Sequence, residues 1–336
     1  LKTSDGKAIH ERLECIAFSK SDMVTEHHWM HTDPAAFTVR LHLHNASHEI
    51  VVISPDEVRV EKNGSSGIVI MPSQNIRPIK YLPDVSIGAV SEWIREHIMK
   101  HIASSDIERR MIIDYLSAFL LMDFAGSKPH LFIEGPTGTG KSTIGKMLSA
   151  LFYGTVEQLK GPSATDNYEY AAINPILILD DIQSKDDKEG LRDFMLFAST
   201  GTTGGKRGKS NGNANTLGKP RALISANGID TVGEELGQFL NRVLNVRCHS
   251  SQRLDSSLDE SSIITEICQH RDMILSAIIK RTQIALKLLR EGAKTRVLSQ
   301  IGKSFETHPK ARCDEMYSLM HLIRIADDTV PDEDLE

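Results

Sequence analysis

Gly135-Pro136-Thr137-Gly138-Thr139-Gly140-Lys141-Ser142-Thr143 fits the pattern G-x-x-x-x-G-K-[ST], the loop that wraps the phosphates of a nucleoside triphosphate. The chemistry needs those residue types at that spacing. Glycines let backbone N–H groups turn toward phosphate oxygens, Lys141 neutralises charge on the β- and γ-phosphates, and the Ser142 hydroxyl is placed to ligate magnesium. The neighbours agree with this reading. His130-Leu131-Phe132-Ile133-Glu134 is an apolar run of strand length, and Lys141 to Phe152 reads as a helix, so the loop joins a strand to a helix as the motif requires.

The 336 residues exceed one average domain, and a hydrophobic fraction of 40% predicts two or three packed units. No apolar run approaches the roughly 20 residues of a membrane span, so no membrane partner is expected. The opening residues Leu1-Lys2-Thr3-Ser4-Asp5 carry neither an initiator Met nor a signal segment, which reads as a fragment of a longer protein. Cys15, Cys248, Cys268 and Cys313 are far apart and form no C-x-x-C pair, which suits reduced thiols in a cytoplasm. A net charge of -6 excludes a general duplex-DNA coat protein, so any nucleic-acid contact must be local.

Four units follow from the pattern. Residues 1–83 read as a small β-rich N-terminal unit, with strands over Phe37–His44, Glu49–Ile53, Glu57–Val60 and Ile68–Met71 and a turn at Asn63-Gly64. Residues 84–128 form a helical collar from Val85–His101 and Asp106–Phe124, with Asp106 at the N-cap position. Residues 129–250 alternate strands and helices, the signature of a parallel sheet covered on both faces. Residues 251–336 are helical, chiefly over Ser261–Glu291, and end in an acidic tail.

Further motifs follow the phosphate loop. Pro175-Ile176-Leu177-Ile178-Leu179-Asp180-Asp181 is a buried strand running into two carboxylates; Asp180 suits the magnesium shell and Asp181 the activation of the attacking water. Pro220 to Gly228 is an apolar strand that delivers Asn227 just past its end, where the amide can bond the γ-phosphate or the water. Between those strands, Thr200 to Lys219 is rich in Gly and Asn. It holds Lys206, Arg207, Lys209 and Lys219, with no acid between Asp193 and Asp230. Positive charge alone on such a hairpin can track a phosphodiester backbone without reading bases; a solvated loop, or one closing over the nucleotide, is the other reading. Arg242 sits at the turn after a helical stretch Val232–Leu240, where a guanidinium can reach a neighbouring subunit's γ-phosphate. Arg247 is the competing candidate, and both can instead be surface ion pairs.

In this order the motifs resemble the superfamily 3 helicases, AAA+-like ring motors of viruses, phages and mobile elements, and in particular the helicase modules of phage and plasmid primase-helicases. The resemblance covers Val85 to Cys248. It implies an α/β P-loop NTPase fold, a parallel sheet flanked by helices, with the collar, N-terminal unit and C-terminal helices around it. It also implies ATP and Mg2+ as cofactors and a homo-hexameric ring that hydrolyses ATP at subunit interfaces. Single-stranded DNA would be the partner and forked duplex the substrate, with Lys206, Arg207 and Lys209 on a hairpin in the central channel. A primase or replication-initiation partner and a phage- or mobile-element-encoded protein in a bacterial cytoplasm complete the expectation.

Two other classes share the ATP chemistry. One is a regulatory or defence AAA+ ATPase working as a nucleotide-gated protein-binding switch; the other is a small-molecule kinase, which paired carboxylates and an Asn suit less well than water activation. His27, His28, His31, His42, His44 and His48 invite a metal reading, but without thiols or a matched ligand pattern they read as packed or exposed histidines, with His27 and His31 sharing a helical face.

Overall fold

The strands His130–Glu134 (β7), Ile176–Leu179 (β8), Leu223–Gly228 (β9) and Val243–Arg247 (β10) form one parallel sheet in the order β10-β7-β9-β8. The computed structural model describes residues 4–20, 27–156, 164–180, 194–201, 220–228, 242–249, 259–293 and 313–328. Every residue of β7, β8 and β9 is buried, as expected when both faces are covered. Alternation along the strands decides which core each residue joins. Leu131, Ile133, Ile176, Ile178, Leu223, Leu244 and Val246 enter the large core shared with the helices and the N-terminal unit. Phe132, Leu177, Leu179, Ile224, Ala226 and Val243 enter a second core with Tyr168 of α5 (Ala164–Ile173) and Phe194, Met195 and Ala198 of a helical segment at 194–200.

The phosphate-loop helix α4 (Lys141–Tyr153) packs on the first face beside the long helix α6 (Glu260–Arg290). Arg271 of α6 is 3% exposed, yet its donors are satisfied: Nε and Nη2 bond the carbonyls of Leu151 and Phe152 at 2.9 and 3.0 Å, and Nη1 bonds Arg77 and Pro78. A cation at the C-terminal end of α4 meets the carbonyls that no helical N–H can reach. Burial pulls its pKa down to about 10.

The collar is shorter-paced than its pattern predicts. Helix α2 spans Ile87–His97 and α3 Asp106–Ser117, each followed by a 3-10 turn, Met99–His101 and Phe119–Phe124. The N-cap of α3 is Ser105, not Asp106: Ser105 and Glu108 form a reciprocal capping box, which leaves Asp106 in the first turn. Helix α7 (Asp314–Asp328) packs against α6 and α3.

The N-terminal strands Met30–Asp33 (β2), Thr38–His42 (β3), Glu49–Ile53 (β4) and Val58–Lys62 (β5) form an antiparallel sheet in that order, while His27–His28 (β1) pairs with Ile70–Met71 (β6). The Asn63-Gly64 turn is present, with Gly64 at φ 90. His27 and His31 lie on strands rather than a helical face, because Trp29, at φ 46, turns the chain between β1 and β2; their rings still meet at 4.2 Å. Strands β1 and β2 are unforeseen, and so is helix α1 (Ser4–Lys20), whose Ile9, Leu13 and Ile16 are exposed. No helix among the described residues is long and apolar enough to cross a membrane.

Candidate nucleotide site

Parallel strands all end at the same edge of their sheet, so residues that follow them in sequence collect there. The phosphate loop leaves β7 at Gly135, whose φ is 148 and whose backbone lies so close to the Cys248 carbonyl that a Cβ would press into that oxygen. Gly140, at φ 87, caps α4 in a left-handed conformation that a side chain would strain. Thr139 Oγ1 donates to the Pro136 carbonyl at 2.8 Å and closes the loop on itself. Lys141 Nζ donates to the carbonyls of Gly135 and Pro136 at 2.7 and 2.8 Å, so the ammonium sits inside the curve of the loop.

Asp180 and Asn227 arrive from β8 and β9. Ser142 Oγ donates to Asp180 Oδ1 at 3.0 Å, and Asn227 Nδ2 donates to the same oxygen at 2.6 Å. Asn227 stands within β9, 4% exposed and registered beside Ile133, rather than past the strand's end. Because β9 lies between β7 and β8, it inserts this amide between the loop and the carboxylate. Ser142 and Asp180 are hard oxygen donors, the class magnesium takes from protein while keeping water and phosphate for its other positions, so these two residues fit the ion. Among the described residues no group of three or more His, Cys, Asp or Glu is arranged to hold a metal.

Sequence reasoning missed Glu260, the first residue of α6. Its Oε2 accepts from Thr143 Oγ1 at 2.7 Å and its Oε1 pairs with Lys146, so the helix after the loop is tied to the C-terminal region at its first turn. Lys146 first and Thr143 second hold its pKa below the ordinary carboxylate value. No local signal marks Glu260, since its partners lie more than a hundred positions away; only Asp259 beside it, an N-cap accepting from Ser262, is legible. Glu134 is the last residue of β7, where the sequence pattern marks only a strand. It is 7% exposed, takes Asn245 Nδ2 and Arg247 Nε on Oε1 at 2.9 and 2.7 Å, and holds Arg247 beside the loop.

Arg242 is not brought to this edge. It precedes β10, and its Nη1 donates to the Leu196 carbonyl at 2.6 Å. A five-residue strand separates it from the loop's edge by roughly 16 Å, so it has no contact with its own chain's Lys141. Asp181, Lys206, Arg207, Lys209 and the stretch Val232–Leu240 lie outside the described residues.

The fold is mixed α/β with a parallel sheet flanked by helices, a helicase-like P-loop arrangement. A solved structure of SCCmec type IV Cch, described as an active helicase, is similar over 96% of this chain at a TM-score of 0.53 and 11% identity. This chain covers 59% of that one, less than two thirds of its length. The A-form apo structure of the NrS-1 C-terminal region matches 69% of this chain and 64% of its own at 11% identity and a TM-score of 0.40. A JCV helicase structure matches 70% and 62% at 11% identity and 0.33. No protein-family profile matches the sequence, and no curated protein does.

Proposed function

We propose that this chain is the motor module of an ATP-dependent DNA helicase of the ring-forming superfamily 3 type, acting on single-stranded DNA in replication of a phage or mobile element. One observation carries the reading: Ser142, Asp180 and Asn227 meet on a single carboxylate oxygen beside the phosphate loop. ATP enters the loop, its phosphate oxygens replace the Gly135 and Pro136 carbonyls around Lys141, and Asn227 and Asp181 orient the attacking water. Ser142 and Asp180 would hold magnesium, which would supply charge neutralisation at the β- and γ-phosphates. Lys206, Arg207 and Lys209 track the strand, and Arg242 serves the neighbouring subunit of a hexamer, a role consistent with its distance from its own loop.

The test is the ATP hydrolysis rate with and without a single-stranded oligonucleotide, on samples whose mass is measured with each ligand. The rate rises with the strand and the mass reports a hexamer; Lys206→Ala with Arg207→Ala removes the rise. A rate indifferent to the strand sinks the helicase reading and favours the protein-binding switch. Mixing Arg242→Ala subunits with Asp181→Asn subunits restores some activity if Arg242 acts between subunits, and purely additive loss overturns that assignment.

A further inference from the structure

The opposite edge of the parallel sheet carries its own chemistry. Because the strands run the same way, the residues just before them also align: Arg242 before β10, Lys128 before β7 and Arg221 before β9. Neighbouring strands stand about 4.8 Å apart, so three cations form a row along one edge. Beneath them, the segment 194–201 turns its carbonyls upward. Met195 faces His130 Nε2, Leu196 faces Arg242, and Ser199 accepts from the Lys128 N–H at 2.9 Å.

Lys128, Arg221, Asp123, Ser199, Thr200, Gly201 and Pro220 line a polar pocket there, with roughly 20 Å³ of room, enough for one water or one phosphoryl oxygen. A lysine, an arginine and one carboxylate line it, and the Glu315 carboxylate accepts from the Gly126 N–H at its rim. Asp123 pairs with Arg221, whose Nη1 also bonds the Met30 carbonyl at 2.9 Å, while Lys128, 6% exposed, adds a second cation. Ser199 Oγ is buried, 2% exposed, with no hydrogen-bond partner among the described residues. A buried hydroxyl in a pocket lined by a lysine and an arginine is the donor set an oxyanion needs. The chain leaves this pocket at Gly201 to enter the acid-free basic run and returns to it at Pro220.

The geometry points to this pocket as a phosphodiester subsite, in which Lys128 and Ser199 hold one non-bridging phosphate oxygen of a nucleic-acid strand at the root of the basic run. This rests on the nucleic-acid reading above. The test is anisotropy of a labelled oligo-dT titrated with protein across salt concentrations, with thermal unfolding of each variant. Ser199→Ala removes a hydroxyl with no partner among the described residues, so it leaves the melting temperature unchanged and weakens strand binding about 2- to 12-fold. Lys128→Met weakens it more and lowers the slope of log affinity against log salt by about 0.7. If the wild type binds the strand and Ser199→Ala binds as tightly at every salt, the pocket is overturned while the nucleic-acid reading stands. A wild type that binds no strand overturns both. Should inorganic phosphate raise the melting temperature of the wild type and not of Ser199→Ala, with strand affinity equal in the two, the ligand is free phosphate and the strand assignment falls.

Discussion

The two sheets distribute their charged and polar side chains differently. In the parallel sheet they collect at its ends: Glu134, Asp180 and Lys141 at one edge, Lys128, Arg221 and Arg242 at the other. In the antiparallel sheet β2–β5 they are strung along the strands, as His31, Arg40, His42, Arg59 and Glu61. Strand direction is the cause. Parallel strands share a beginning and an end, so residues far apart in sequence converge, whereas hairpins reverse direction at every turn and send successive flanking residues to alternate edges. A converged edge can assemble a site. The strung-out sheet instead spreads its charged groups along the strands and packs its histidines against neighbouring ones, as His31 with His27 and His42 with His44.

The largest expected effect separates the two regions directly. Lys141→Ala lowers the ATP hydrolysis rate by about two to three orders of magnitude, the scale of losing one preorganised donor to developing charge. Far-UV circular dichroism stays unchanged. A variant that hydrolyses ATP within a few-fold of the wild type breaks the assignment of the converged edge.

Acid pH probes the other side of the comparison. Burial, foremost, pulls His31 and His42 down to about 4 and His44 to about 3, with neighbouring histidines and cations adding to it. In an unfolded chain these groups titrate near 6.5. The unfolded state therefore binds more protons below that value, and stability falls as pH drops from about 6.5 toward 4, levelling off below about 3. The parallel sheet holds one such group, His130, also near 3 through burial and then Lys128. In a Trp93→Phe variant, Trp29 is the one remaining tryptophan and reports the N-terminal sheet. Its fluorescence transition on heating coincides with the far-UV transition at pH 7.5 and precedes it at pH 4.5. Coincident transitions at both values would erase the distinction.

Smaller effects sharpen the picture. Glu260→Gln keeps a hydrogen bond to Thr143 but loses the charge pairing with Lys146, so the Michaelis constant for ATP rises a few-fold and the melting temperature moves little; a partly exposed pair contributes modestly. Smallest is Arg290→Ala, which removes a solvent-exposed pair with Asp56 and leaves both the melting temperature and the ATPase rate unaltered.

Much of the parallel sheet was legible because its strands are uniform apolar runs and its loop is a spaced motif: β7, α4 and β8 fall where the pattern puts them. What local sequence lacks is lateral order. Nothing in Pro220–Gly228 announces that β9 slots between β7 and β8, yet that slot is what brings Asn227 to Asp180. Ser105 and Asp106 are both good caps, and only the reciprocal bond with Glu108 decides between them. Helix α1 did leave a trace, the spacing of Ile9, Leu13 and Ile16, but it sits outside the core that makes such spacing persuasive. Arg271 and Glu260 were invisible, since each works across more than a hundred residues of chain.

The tight approach of Gly135 to Cys248 has an engineering consequence. The nine-residue loop is moulded partly from outside, by the segment leaving β10, and so is not a transferable cassette. Grafting it onto another scaffold would require carrying the Arg247-Cys248-His249 buttress along with it.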